Sequence, residues 1–135
     1  MAGMNNLVDT NILSELAKRN PDEGVIAWAS GVSRLSLSVI TMEELIYGLA
    51  WKPNSRVQEW LEGFLESYTR ILPVTEMIAR RAGILRGQFQ ARGIVRTQAD
   101  LLIASTASEH GLTVVTRNTK DFEGCGVAVL NPFMG

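Results

Sequence analysis

The sequence predicts an α/β fold, a central and largely parallel sheet of five short strands flanked by helices. Two observations carry the prediction. Short apolar runs of strand length alternate with longer segments of helical periodicity, and helix-start signals stand between several of them. The chain of 135 residues, 46% hydrophobic and 20% charged, fits one domain over residues 1–135 and can bury a core.

Leu7 and Val8 end the first apolar run, and Ile12, Leu13, Leu16 and Ala17 then fall on one helical face. Asn20-Pro21-Asp22-Glu23 reads as a helix start with Asn20 as the cap, and the helix stops near Gly31. Leu35, Leu37 and Val39 alternate with Ser36 and Ser38, the pattern of a half-buried strand. Thr41 to Glu44 reads as the next helix start. Val57, Trp60, Leu61, Phe64 and Leu65 mark an amphipathic helix. Ile71 to Val74 is the third strand; Thr75 caps a helix running to about Arg92, and Gly93 ends it. Thr97 caps a further helix closed by Gly111. Thr113–Thr116 and Val127–Leu130 complete the strands.

Composition excludes several functions. No apolar run approaches the roughly 20 residues that cross a bilayer, and Met1 to Asn6 carries no leader pattern. The single cysteine, Cys125, allows no intrachain disulfide and suits a reducing cytoplasm. No Ser-His-Asp set, phosphate-cradling glycine loop or Cys/His cluster is present, and His110 reads as an exposed residue at a helix end. A net charge of −1 argues against an unaided grip on nucleic acid. Between Glu76 and Asp100, however, every charged residue is Arg. Of these, Arg86, Arg92 and Arg96 are candidate RNA contacts; their alternative is a solvated helix face. Trp28, Trp51 and Trp60 read as core or dimer contacts.

Ligands of open parallel sheets bind beyond the carboxyl ends of the strands, and acids fall there. Asp9 follows the first strand, Glu44 lies in the first turn after the second, and Asp100 in the first turn of the helix opened by Thr97. Thr116-Arg117-Asn118 follows the fourth strand. Each acid has a plainer reading. Glu44 and Asp100 could complete capping boxes with Thr41 and Thr97, and Asp9 with Thr10 and Asn11 could form a turn. Three acids on one rim repel one another, and a hard cation with oxygen ligands resolves that repulsion.

With these residues in view, the blocks LVDTNILSEL, LSVITMEELIYGL, ADLLIASTASEHGLTVVTRNTKDF and VLNPF resemble the PIN-domain endoribonucleases, toxins of the VapC and FitB kind. The likeness runs in order over nearly the whole chain. It implies a PIN-like fold, a Mg²⁺- or Mn²⁺-dependent site that cuts RNA, a homodimer, and a small antitoxin whose C-terminal segment blocks the groove. It maps the family's first three acids onto Asp9, Glu44 and Asp100, and sets aside Glu43 because the family's acid directly precedes the Leu matched by Leu45. The fourth position, commonly Asp, is Asn118 here, and Asp121 three residues on is a candidate substitute. Asn11 and Thr116 match supporting polar positions. Two other classes remain open: a phosphoryl-transfer or receiver-like domain, and a catalytically weak module that acts by binding a partner protein or nucleic acid.

Overall fold

A computed structural model describes residues 5–135. The opening Met1–Met4, read above for a leader pattern, lies outside them. Five strands and six helices follow in order: β1 (Asn6–Val8), α1 (Thr10–Leu16), α2 (Glu23–Ser30), β2 (Leu35–Ser38), α3 (Val39–Trp51), α4 (Ser55–Tyr68), β3 (Thr69–Leu72), α5 (Glu76–Ala91), α6 (Gln98–His110), β4 (Thr113–Val115) and β5 (Val129–Leu130). A 3₁₀ turn over Thr119–Phe122 links the last two strands.

All paired strands run parallel, in two ladders rather than one: β1-β4-β5 and β2-β3. A side chain joins them. The Asn6 amide donates to the Arg34 carbonyl and accepts from the Ser36 N–H, each at 3.0 Å. It thus makes across β1 and β2 the two bonds that a peptide group would make. Strand β1 therefore lies between β4 and β2, and the chain leaves it in both directions. That is a topological switch point, where such sheets open a crevice at the strands' carboxyl ends.

The sheet is covered on both sides, and its side chains alternate between two cores. Leu7 and Val114 pack with Ala82, Phe89, Leu101 and Phe122, whereas Val8 and Val115 pack with Ile12, Leu13, Val25, Leu35 and Leu37. Covering on both faces explains a departure from expectation in β2, where all four residues are buried, Ser36 and Ser38 included.

Several predicted boundaries move. Helix α2 is capped by Asp22, not Asn20: Asp22 Oδ1 accepts from Gly24 N at 2.8 Å, Val25 N at 3.2 Å and, from the far end of the chain, Met134 N at 3.1 Å. Helix α3 starts at Val39 under a Ser38 cap, with no loop after β2. Thr41 is consequently an interior helical residue and Glu44 lies in the second turn, which removes the capping-box reading of Glu44. Strand β3 starts two residues earlier than expected and ends at Leu72, β4 stops at Val115, and β5 is confined to Val129–Leu130. The caps at Thr75 and Thr97 stand as expected, and Gly111 closes α6 at φ 65°, a left-handed conformation that suits glycine.

Candidate active site

The carboxyl ends of β1 and β4 and the starts of α1 and α6 enclose an open cleft of about 470 Å³. Asp9, Glu44, Asp100, Asp121, Asn11 and Asn118 all line it, so the acids named from sequence share one cleft. Glu43, by contrast, is exposed and does not line the cleft.

Asp9 is the most constrained of them. It is 6% exposed, and its Oδ1 accepts from Thr10 N at 2.8 Å. Its Oδ2 accepts from the Thr116 hydroxyl at 2.9 Å and from Asn11 Nδ2 at 3.2 Å. The direction of the Thr116 proton follows by counting. The buried Thr116 oxygen already accepts from Asn118 N at 3.0 Å and Asn11 Nδ2 at 3.2 Å, so its lone pairs are used and its single proton goes to Asp9. Asn11 also accepts from Arg117 N at 3.0 Å, tying the start of α1 to the segment after β4. Asn11 and Thr116 thus hold one carboxylate oxygen between them.

Glu44 reaches the cleft from α3, and its Oε1 accepts from the Thr10 hydroxyl at 2.6 Å. Thr97 Oγ1 accepts from Asp100 N at 3.1 Å, so Asp100 keeps the cap relation read from sequence while lining the cleft. Burial pushes the Asp100 carboxyl above its usual range, the Thr97 hydroxyl opposes this, and Asp9, Asp121 and Glu44 raise it further. Among the described residues no three carboxylate, histidine or cysteine groups are drawn tightly enough to enclose an ion as they stand. The acids therefore act on Asp100 through space, across an open cleft, as like charges facing one another do.

Asn118 is exposed, and its side chain caps nothing in the following turn. Asp121 lies on that turn, its carbonyl accepting from Arg96 Nη1 at 2.8 Å. This assigns Arg96 a local task. With Arg92 it flanks the Phe89 ring, the guanidinium carbons 4.5 and 4.9 Å from the ring centroid, and it contacts the buried Cys125 sulfur at 3.9 Å. Burial pushes the Cys125 thiol up, against the pull of Arg96. Arg86 lines a separate shallow groove with Val74 and Gln98. None of Arg86, Arg92 and Arg96 lines the acidic cleft.

Sequence reasoning gave Glu15 and Lys18 no role, took Thr10 only as a turn residue, and named Arg117 and Phe133 only within their motifs. Glu15 is nearly buried and accepts from Lys18 Nζ and Asp22 N, both at 2.8 Å; the Lys18 hydrogen bond leads in holding its carboxyl below the usual range. Thr10 had a signal, adjacency to Asp9. Phe133 had none beyond the VLNPF block, because only the fold carries the C-terminal segment back to the cleft. An apolar groove of about 230 Å³ between α1, α3 and α4 opens from the same rim, sharing Thr10 and Glu44.

A parallel α/β sheet with a carboxylate-lined cleft at its switch point offers oxygen ligands to a hard cation where such sheets bind their ligands. The comparisons decide the class: residues 7–124 match the PIN domain family model, and the chain belongs to that family. It is 38% identical over 135 residues to the VapC ribonuclease Y4jK of Sinorhizobium fredii, covering 94% of this chain and 96% of the relative. Among solved structures it is similar to FitAcB from Neisseria gonorrhoeae, at TM-score 0.81 and 37% identity over 94% of this chain and 97% of that one. It is also similar to a toxin–antitoxin complex from Klebsiella pneumoniae, at TM-score 0.73 and 28% identity over 95% and 98%.

Proposed function

We propose that the chain is a divalent-metal-dependent endoribonuclease, the toxin of a type II toxin–antitoxin module, with Asp9, Glu44 and Asp100 as its metal-holding and catalytic residues. The observation that carries this reading is the convergence of those acids with Asp121 on one cleft at the sheet's switch point. The ribonuclease relative and the toxin–antitoxin neighbour support it.

The donor set fits Mg²⁺ or Mn²⁺, since it is made of hard carboxylate oxygens with no thiolate or imidazole. When bound, such an ion supplies an acidified water and positive charge against the phosphate. The residues of the chain do the rest. Asp9 is locked by three donors and cannot turn away. Thr10 holds the Glu44 carboxylate toward the rim, and a cation beside Asp100 would offset the repulsion that Asp9, Asp121 and Glu44 exert on its carboxylate. Asn11 and Thr116 keep the wall rigid, and Asp121 or the neutral Asn118 completes the anionic edge. Water attack on phosphorus, with the bond to the 3′-oxygen breaking in line, leaves a 5′-phosphate and a 3′-hydroxyl.

The partner surface in this reading is the apolar groove beside the rim, where the antitoxin's terminal segment lies and directs a cation at the carboxylates. A homodimer accounts for the large apolar side chains left exposed, Trp51 at 67% and Tyr47 at 61% among them. Trp60, read from sequence as a core or dimer contact, is partly buried against the core with Phe64, the two rings stacked at 4.8 Å.

The test is cleavage of RNA by the purified chain with Mn²⁺, with EDTA, and after Asp9→Asn or Asp100→Asn. EDTA should abolish cleavage and each substitution should cost orders of magnitude in rate with the fold intact. Undiminished cleavage by both variants would remove the site. Sedimentation of the same samples reports the dimer, and co-purification from the native operon reports the antitoxin. The second reading, a partner-binding module with weak catalysis, draws on Asn118; it gains if Mn²⁺ adds no activity to the unmodified chain.

A further inference from the structure

We propose that Arg117 is a substrate-phosphate anchor of the cleft, gripping an RNA phosphodiester beside the one that is cut; this rests on the ribonuclease reading. Two cations line the cleft, Lys18 and Arg117. The charge of Lys18 is offset by Glu15 at 2.8 Å. Arg117 shares the cleft with Asp9, Glu15, Glu44, Asp100 and Asp121, yet among the described residues it forms an ion pair with none of them. Its contacts lie on the C-terminal segment instead. Its guanidinium lies over the Phe133 ring, 4.7 Å from the centroid, and Nη2 donates to the Gly135 carbonyl at 3.1 Å.

That restraint is built in from both sides. Asn11 fixes the backbone of Arg117, and the segment bearing Phe133 and Gly135 is fixed by Asp22, which accepts from Met134 N. The segment lies so close to α2 that a Cβ on Gly24 would stand 2.2 Å from the Pro132 carbonyl oxygen. Arg117 is therefore kept from collapsing onto the carboxylates. Among the described residues one of its five N–H donors is engaged, and no side-chain carboxylate pairs with it. A restrained guanidinium at the edge of an acidic cleft, kept apart from the cleft's carboxylates and with N–H donors to spare, suits a phosphate, whose oxygens match its fork. The need is physical: on a chain of net charge −1, carboxylates repel a polyanion, and a cation at the rim offsets that repulsion. The arginines of residues 86–96 do not meet the need, since Arg92 and Arg96 are committed to Phe89 and Arg86 faces another groove.

The test is binding of a short single-stranded RNA by the full chain in EDTA, followed by fluorescence anisotropy over a range of salt. Arg117→Gln should weaken binding about tenfold or more, as expected for a charge-assisted hydrogen bond. It should also flatten the slope of log affinity against log salt by roughly 0.7, one single-strand phosphate contact. Arg117→Lys should keep the slope and lose severalfold in affinity, having charge without the fork. Unchanged affinity and slope in a folded Arg117→Gln variant overturn the proposal. Should that variant fail to fold, Arg117→Lys decides, because binding equal to wild type then overturns it. Cleavage of the same RNA by the wild type in Mn²⁺ separates this from the underlying reading. Arg117-dependent binding without cleavage keeps the anchor and removes the ribonuclease. Cleavage with Arg117-independent binding does the reverse, and no binding by the wild type removes the anchor.

Discussion

At Asp100, burial and the charges of Asp9, Asp121 and Glu44 all favour the protonated carboxyl, with only the Thr97 hydroxyl opposing them. An acid whose pKa is raised by folding contributes stability that is complete below its unfolded pKa and lost as pH rises through its folded one. At neutral pH the ionised Asp100 is thus a cost to the metal-free fold. Asp100→Asn should raise the Tm of the metal-free protein at pH 7, and the gain should vanish near pH 3, where the carboxyl is neutral in both states. A variant that melts no higher at pH 7 would show that the cleft does not strain this residue. Asn118 invites the complementary experiment. Asn118→Asp adds a charge to the same edge, so metal-free melting should fall slightly while divalent binding tightens. Asp121 already contributes to the field on Asp100. If it fills the family's fourth position, Asn118→Asp should do little and Asp121→Asn should weaken binding. Calorimetric titration of both variants distinguishes the two.

Among the elements, α3 decides where Glu44 points. Its start at Val39 directly after β2 leaves no loop, so Ser38 is both the last strand residue and the cap. The sequence signal at Thr41 was plausible and misplaced: a Thr followed three residues later by Glu looks like a capping box whether or not a helix is already under way. Register from Ser38 instead carries Glu44 round to the Thr10 hydroxyl. It also buries Thr41, whose hydroxyl has no hydrogen-bond partner among the described residues. A buried hydroxyl without a partner bears a desolvation cost that a methyl group of similar shape avoids. Thr41→Val should therefore stabilise the chain by about 1 kcal/mol in urea denaturation. A clear loss of stability would reveal a contact made by that hydroxyl.

Across the whole molecule, what the sequence disclosed was periodic or local. Strand and helix alternation predicted the α/β class, and acids just beyond apolar runs pointed to the rim, because strand ends in a parallel sheet share a side. Asp9, Glu44 and Asp100 do line one cleft. Long-range contacts left no such mark. Nothing near Phe133 announces that it will lie beside Arg117, and nothing near Asn6 distinguishes it from an ordinary strand residue. The arginine strip shows the converse risk: a run of like charges is conspicuous in sequence, yet two of its members are engaged with a phenylalanine ring.

The Asn6 stitch bears on how the molecule opens. Among the described residues no ladder pairs β1 with β2; the Asn6 amide bridges them, while Asp9 and Thr116 lie on the β1–β4 side and α3, with Glu44, continues from β2. Regions that open as cooperative units part where few backbone bonds cross. We expect the sheet to breathe along this line, with the two halves of the site separating before either half unfolds. Native-state hydrogen exchange of Asn6→Leu should then show the β2–β3 amides losing protection well ahead of β1–β4–β5. Equal loss in both sets would mean that the cores on the two faces, and not the stitch, hold the halves together.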